Sequence, residues 1–93
     1  ALGVISVWAN VMPEQVHEMC AAFEDGRIDE ARAIQLAGLD VVAGLFAEVN
    51  PIPVKAALEM MGMGEAHYRL PLCPMGDAAR EKLAAAMKEA GLL

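Results

Sequence analysis

The sequence predicts an all-α protein, a small bundle of about four helices. Several segments carry apolar residues at the i, i+3, i+4 and i+7 spacing of an amphipathic helix. Proline or aspartate stands at the start of these segments and glycine near the end, as is usual for helices. A chain of 93 residues is enough for one small domain. We therefore expect residues 1–93 to form a single domain, in which an N-terminal segment, residues 1–12, precedes a helical domain, residues 13–93.

The N-terminal segment contains a short run, Leu2–Trp8, that is rich in β-branched residues. Such a run is typical of a fully buried parallel strand. No other part of the sequence offers a strand to pair with it, and unpaired backbone groups away from water are costly. The run could fray, pair with its own copy in another chain, or join a helix. We expect a helix or disorder rather than a conventional strand. Pro13 limits any such helix, because it steers Met12 away from helical angles.

The first long helix is expected from Pro13 to about Glu24. Proline suits the first turn of a helix, and an aspartate–glycine pair follows the last turn. The apolar stripe of this helix consists of Val16, Met19, Cys20 and Phe23.

The second helix is expected from Asp29, a good N-cap, to about Glu48. Its broad apolar face suggests a central place in the packing. The residues on this face are Ile34, Ala37, Val41, Val42, Leu45, Phe46 and Val49. Gly38 and Gly44 would each weaken the helix by about 1 kcal/mol relative to alanine, unless they allow a neighbouring helix to approach closely.

A stiff connector, Asn50–Lys55, follows the second helix. Its two prolines cannot lie inside a helix, since each lacks a backbone N–H and fixes its own φ. Pro53 nevertheless suits a first helical turn, and a third helix is expected over Val54–Met61. Residues 65–76 contain two more prolines and are expected to form a loop. A final helix is expected over Asp77–Ala90.

Composition restricts the possible partners and location. Hydrophobic residues make up 57% of the chain, and a small domain buries a smaller share of its surface than a large one, so we expect a homo-oligomer, a dimer or larger. The net charge of −6 argues against nucleic acid. No apolar run is long enough to cross a membrane. Cys20 and Cys73 are expected to be buried free thiols in a cytoplasmic protein, with one disulfide as the alternative.

The residues alone give little sign of reaction chemistry. His17 and Cys20 are three apart on a helix and could share a metal ion, but His67 and Cys73 would have to complete the site from a loop. We therefore expect no metal. Nothing places a base beside either cysteine, which argues against a thiol nucleophile. The seven methionines are expected to fill gaps in the core, with an adaptable partner-binding surface as the alternative.

Several short motifs occur in order along the chain. They are Gly3–Val7 followed by Ala9–Val11, then Asp29–Arg32, Asn50–Lys55, Arg69–Leu72 and Ala90–Leu93. Together they resemble the C-terminal third of the dihydrodipicolinate synthase family (4-hydroxy-tetrahydrodipicolinate synthases), which belongs to the pyruvate-dependent class I aldolases. One such motif would be weak evidence, whereas several in register over most of the chain are specific.

The resemblance implies a place for each motif. Family members resemble (β/α)8 barrels of about 250 residues followed by a short helical tail. The first twelve residues would then correspond to the last barrel strand and its loop. Ser6, Val7 and Asn10 would line the active-site cleft, while Trp8 stands where the family usually has threonine and would crowd the loop. Six motif residues would be structural: Asn50, Pro51, Pro53, Lys55, Arg69 and Pro71. Of these, Arg69 would tie its loop to a helix.

The family's reaction depends on a Schiff-base lysine, a proton-relaying tyrosine and a threonine-rich loop, and no residue of this chain matches them. Lys55 belongs to the connector, and Lys82 and Lys88 lie on the final helix. Tyr68 directly precedes the Arg69 motif. We therefore expect no catalytic residue and no cofactor in this chain.

Two functions are consistent with the sequence. In the first, the chain is a truncated dihydrodipicolinate-synthase-like protein that is non-catalytic alone and self-associates as a helical domain. In the second, it is part of a lyase that condenses pyruvate with aspartate semialdehyde in lysine biosynthesis, completed by a complementary barrel fragment.

Overall fold

A computed structural model describes residues 1–93. The chain contains five α-helices and no β-strand: α1 Pro13–Glu24, α2 Ile28–Ala37, α3 Leu39–Leu45, α4 Ile52–Met60 and α5 Asp77–Glu89. A 3₁₀ turn, Trp8–Asn10, precedes α1. The predicted all-α fold class is therefore confirmed, with one α-helix more than the sequence suggested.

The extra helix arises because the helix expected over Asp29–Glu48 is divided at Gly38 into α2 and α3. The indole of Trp8 lies directly against Gly38, and a Cβ at this position would overlap the ring. From the sequence, a glycine here weakens the helix unless it allows a neighbouring helix to approach closely. The close neighbour at Gly38 is a side chain from the N-terminal segment rather than a helix.

α3 also ends earlier than predicted, at Leu45. Glu48, which was expected to be helical, lies outside α3, and its carboxylate accepts a hydrogen bond from the backbone N–H of Gly76 at 2.9 Å. This contact joins the end of α3 to the residue before α5.

Residues 1–6 belong to neither a helix nor a strand. Their backbone groups make no hydrogen bond with other backbone groups. Leu2, Val4 and Ile5 are exposed although they are apolar. Helical structure in the N-terminal segment is limited to the 3₁₀ turn, so the chain first reaches the core at Trp8.

α1 and α2 pack against each other across a short connection, where Ala22 and Ala31 are buried. Arg27 in the connection forms ion pairs with three carboxylates, those of Glu30, Glu18 and Asp25. The hydrogen bond to Glu30, followed by those to Glu18 and Asp25, raises the pKa of the Arg27 guanidinium above its ordinary value. These groups are exposed, so the pairs orient the connection more than they stabilise it.

The main core lies where the 3₁₀ turn and the start of α1 meet α3, α4 and α5. Its buried residues are Trp8, Val11, Met12, Val16, Val41, Leu45, Ile52, Val54, Ala56, Ala57, Met75, Leu83 and Met87. Gly44 allows α5 to approach α3, since a Cβ there would lie 2.8 Å from Cδ1 of Leu83. Gly44 therefore allows the close approach of a neighbouring helix that the sequence suggested for a glycine in this region.

The second half of the chain follows the predicted order. Pro53 lies in the first turn of α4, which begins two residues before the predicted Val54. Residues 65–76 form a loop without regular secondary structure, as predicted, and α5 follows at Asp77. None of the helices has both the length and the apolar character needed to cross a membrane.

Candidate functional site

The residues expected to line a cleft lie together in one tight turn, Ser6–Asn10. The Ser6 hydroxyl accepts a hydrogen bond from the backbone N–H of Ala9 at 3.3 Å. The carbonyl of Val7 accepts two hydrogen bonds from Asn10, one from the side-chain amide at 3.0 Å and one from the backbone N–H at 3.1 Å. Ser6 and Val7 are half-buried, and Asn10 is exposed. The polar side chains of the turn therefore bond within the turn itself.

Trp8 does not crowd this turn as we expected, because its side chain points into the core. It is only 5% exposed. Its indole N–H donates to the sulfur of Met12 at 3.1 Å. Its carbonyl accepts the backbone N–H groups of Val11 at 3.1 Å and Met12 at 3.0 Å. The glycine at position 38 provides the space that the ring needs.

Sequence reasoning missed Ile5, which precedes the turn and is fully exposed. Leu2 and Val4 line a cavity beside α1 and α2. Ile5 is not part of this lining, so its fully exposed side chain lies on the open side of the segment, away from the helices. The alternation of an extended run was the signal that could have identified this residue.

An apolar cavity of about 360 Å³ separates the N-terminal segment from α1 and α2. Its lining includes Leu2, Val4, Met19, Phe23 and Ile28. The half-buried thiol of Cys20 also borders it. Glu24, Arg32 and Gln35 lie at the cavity as well, so polar side chains border a lining that is mainly apolar.

The connector motif holds the loop 65–76 against α4. Lys55 Nζ donates to the carbonyl of His67 at 2.6 Å and lies 5.8 Å from the centroid of the Tyr68 ring, within the range of a cation–π contact. The Tyr68 hydroxyl donates to the carbonyl of Ile52 at 3.4 Å. Burial, with a smaller contribution from the charge of Glu59, raises the pKa of Tyr68. Lys55 thus connects α4 to the loop 65–76.

Glu59 also connects the loop 65–76 to the helices, a role that was not predicted from the sequence. Its carboxylate accepts the backbone N–H of Ala66 at 3.1 Å and pairs with Arg80 at 3.0 Å. The hydrogen bond from Ala66, and then that from Arg80, hold the pKa of Glu59 below its ordinary value. Nothing in the local sequence indicates this role, because Ala66 and Arg80 are 7 and 21 residues away.

The other motif residues shape the backbone. Asn50–Pro51 and Leu70–Pro71 are cis peptide bonds, and Pro53 is buried in α4. Arg69 is exposed and makes no ion pair or side-chain hydrogen bond. Lys55 and Glu59, both in α4, make the contacts between loop and helix that were expected of Arg69.

The residues considered for metal or thiol chemistry are not brought together. No group of three histidine, cysteine or acidic side chains has the geometry to hold a metal ion. Both cysteines are free, Cys20 half-buried and Cys73 exposed, so the prediction of two buried thiols is wrong for Cys73. Met75 takes the buried position in that part of the loop.

Comparison with known proteins identifies the family. The chain belongs to the dihydrodipicolinate synthetase family, whose family model matches residues 1–90. It is 53% identical to the 4-hydroxy-tetrahydrodipicolinate synthase of Geobacter metallireducens, over 100% of this chain and 32% of that enzyme. The crystal structure of dihydrodipicolinate synthase from Thermotoga maritima matches with a TM-score of 0.96 and 45% identity, over 98% of this chain and 31% of that chain. A monomeric dihydrodipicolinate synthase variant matches with a TM-score of 0.95 and 45% identity, over 98% and 30%.

The chain spans about a third of the length of the curated relatives it matches. The resemblance to the C-terminal part of this family, inferred from the motifs, is confirmed. The match covers nearly the whole chain, so its backbone arrangement is that of the corresponding part of the solved synthases.

Proposed function

We propose that this chain is part of a pyruvate-dependent lyase. In this proposal residues 2–6 act as a barrel strand, the Ser6–Asn10 turn forms part of the cleft rim, and the helices complete the fold. The remaining strands and the Schiff-base lysine belong to what we call the barrel portion, carried on the same polypeptide or on a separate chain. The reaction would be the condensation of pyruvate with aspartate semialdehyde.

The observation that carries the proposal is that residues 1–6 of the N-terminal segment have no backbone hydrogen-bond partner on the backbone of this chain. These residues belong to neither a helix nor a strand. Leu2 and Ile5, 89% and 109% exposed, would be costly to leave in water. Pairing with barrel strands on both edges would satisfy the backbone groups and bury these side chains together.

The direction of the segment supports a place at the cleft. In (β/α)8 barrels, active sites lie at the carboxyl ends of the strands. The Ser6–Asn10 turn follows the carboxyl end of residues 2–6, and Ile5 lies on the face away from the helices. In a barrel, that face is directed toward the interior. Ser6, Val7, Asn10 and Ile5 would then shape the cleft without performing chemistry.

The lysines support a division of roles between this chain and the barrel portion. Lys55 is held by the carbonyl of His67, on the loop 65–76. Lys82 and Lys88 are exposed on α5. None of the three lies in the Ser6–Asn10 turn, so the amine that forms the Schiff base is assigned to the barrel portion. A cytoplasmic location is part of the proposal, since both cysteines are free thiols.

Co-expression with a barrel portion tests the proposal. The Geobacter metallireducens synthase, shortened by the part that matches this chain, supplies that portion. We expect a stable complex, borohydride trapping of pyruvate on a lysine of the barrel portion, and condensation activity only when both chains are present. A Val4→Pro variant, which lacks one backbone donor of the strand, should lose activity, whereas Lys82→Met should keep it. Failure to form a complex, or activity of the 93-residue chain alone, would refute the proposal.

Self-association of the isolated chain is a second candidate, favoured by a different observation. Leu36 near the end of α2, Leu39 at the start of α3 and Phe46 directly after α3 are all exposed. Together they leave an apolar side along α2 and α3 open to solvent. In the absence of a barrel portion, a second copy of the chain would cover this apolar side, giving a non-catalytic dimer or larger assembly.

A further inference from the structure

We propose that Trp8 is a positioning residue. Its indole, seated on Gly38 at the division between α2 and α3, sets the orientation in which the Ser6–Asn10 turn faces the barrel interior. The catalytic consequence of this inference rests on the proposed function, whereas the positioning itself can be tested in the chain alone.

No residue of the Ser6–Asn10 turn other than Trp8 is buried in the core. Trp8 is the only buried residue among residues 1–10. The hydrogen bonds of Ser6 and Asn10 close the turn on itself and do not reach a helix. Val7 and Ala9 contact the core while staying half-buried. The position of the turn relative to the helices is therefore determined mainly by the place where the indole lies.

The indole of Trp8 packs closely against Gly38. A Cβ at Gly38 would overlap Cζ2 and Cη2 of Trp8 and would also meet Cε2 at 2.9 Å. Beside these atoms, the indole N–H, bonded to Cε2, donates to the Met12 sulfur. The Trp8 carbonyl receives the N–H groups of Val11 and Met12, so the same residue connects the turn to the start of α1. Side chain and backbone together leave the turn little freedom to tilt.

Small displacements of such a turn matter for a cleft. A misplacement of about 1 Å, caused far from the reacting atoms, can lower an enzymatic rate by about 100-fold. Ser6 is two residues from Trp8 in the chain, so we expect a change in the orientation of the indole to move the Ser6 hydroxyl as well. We therefore expect kinetic effects from a residue that does not touch the substrate.

The first test uses the isolated chain and its single tryptophan. In Gly38→Ala the new methyl group displaces the indole, so Trp8 emission should shift to the red and the amides of Ala9 and Asn10 should exchange about tenfold faster. The amides of Leu83 and Met87 in α5 should keep their protection. Gly3→Ala, where a Cβ meets nothing within 4 Å, is the matched control and should change neither signal.

Replacement of Trp8 itself gives a graded series. Trp8→Ala should accelerate the exchange of the Ala9 and Asn10 amides. Trp8→Phe should restore much of their protection, because its ring fills part of the space beside Gly38. Gly38→Ala should perturb the turn less in the Trp8→Ala background than in the parent, since the clash is gone. Unchanged emission and exchange in Gly38→Ala, or an equal loss of protection in α5, would overturn the positioning role.

The second test uses the complex with the barrel portion. Trp8→Ala should lower kcat/KM for pyruvate by about 100-fold, and Trp8→Phe should recover most of it, while Lys82→Met keeps the parent value. Parent kinetics for Trp8→Ala would overturn the link to the cleft. An inactive parent complex would instead count against the proposed function, and the exchange experiment would still decide the role of Trp8.

Discussion

Glu59 Oε2 lies 3.0 Å from Nη2 of Arg80, an ion pair that joins α4 to α5. The other carboxylate oxygen accepts the backbone N–H of Ala66, in the loop 65–76. One side chain therefore holds three parts of the chain together. Since Glu59 and Arg80 are partly exposed, solvent screens their attraction, and the geometry of the tie matters more than its strength.

The contacts of Glu59 with Ala66 and Arg80 should contribute to stability at neutral pH, and this contribution should be lost in acid. The pKa of Glu59 in the folded chain lies below its ordinary value of 4.5, first because of the hydrogen bond from Ala66 and then because of Arg80. A group with a depressed folded pKa stabilises the fold above its unfolded pKa, and the contribution is lost as the pH falls through the folded value. Glu59→Gln should therefore be less stable than the parent at neutral pH, and the difference should shrink at roughly pH 3.

Urea denaturation of both proteins at the two pH values measures this difference. Glu65→Gln, which alters an exposed carboxylate paired only with His67, is the matched control and should follow the parent at neutral pH. If the difference in the free energy of unfolding between Glu59→Gln and the parent were as large in acid as at neutral pH, the assigned role would be contradicted.

The contact of Lys55 with the loop predicts protection from proteolysis. Lys55→Met removes the hydrogen bond to the carbonyl of His67 and the contact with the Tyr68 ring. The loop should then move more freely, and trypsin should cut faster after Arg69, which is exposed. Mass spectrometry of the fragment ending at Arg69 gives the rate. Lys82→Met also removes one trypsin site but no contact to the loop, so an equal acceleration in both variants would argue against this explanation.

Close packing of α5 on α3 predicts a large cost for Leu83→Ala. Leu83 is fully buried, and Gly44 brings α3 close to it. Removing the side chain should lower the free energy of unfolding by about 2–5 kcal/mol. The same change at Leu36, which is helical and exposed, should stay within about 0.5 kcal/mol. Chemical denaturation of dilute protein compares the two, and similar losses would mean that α5 is not packed as described.

Helix type and order could be read from the sequence because the signals are local. Pro13 and Pro53 fall in the first turns of α1 and α4, as predicted, and α5 begins at the predicted Asp77, although Gly76 is its N-cap. The division of the predicted Asp29–Glu48 helix could not be read in this way. It depends on Trp8, thirty residues before Gly38, and the sequence alone does not tell which neighbour a glycine admits.

The candidate site shows the same limit. The motifs predicted that Ser6, Val7 and Asn10 belong to one short segment, a strand end and its loop, and the structure places them in one turn, since they are neighbours in the chain. Glu59 and Arg80 were missed because their partners come from distant segments. Ile5 was missed although the alternation of an extended segment, which is a local signal, points to it.

The exposed apolar side of α2 and α3 predicts the behaviour of the isolated chain. If a second copy covers this side, Phe46→Ser should shift the mass in solution toward the monomer. Light scattering over a dilution series measures the mass. Met63→Ser changes another exposed apolar residue away from these helices and should leave the mass unchanged. A parent chain that is monomeric at every concentration would contradict self-association and leave the lyase proposal intact.

The most direct test of the lyase proposal is hydrogen exchange of the amides of residues 2–7, measured for the chain alone and with the barrel portion. In the isolated chain these amides have no backbone partner and should exchange rapidly. Strand pairing in the complex should slow most of them strongly, while α5 changes little. A complex in which these amides still exchange as fast as in the isolated chain would contradict the assignment of this segment as a barrel strand.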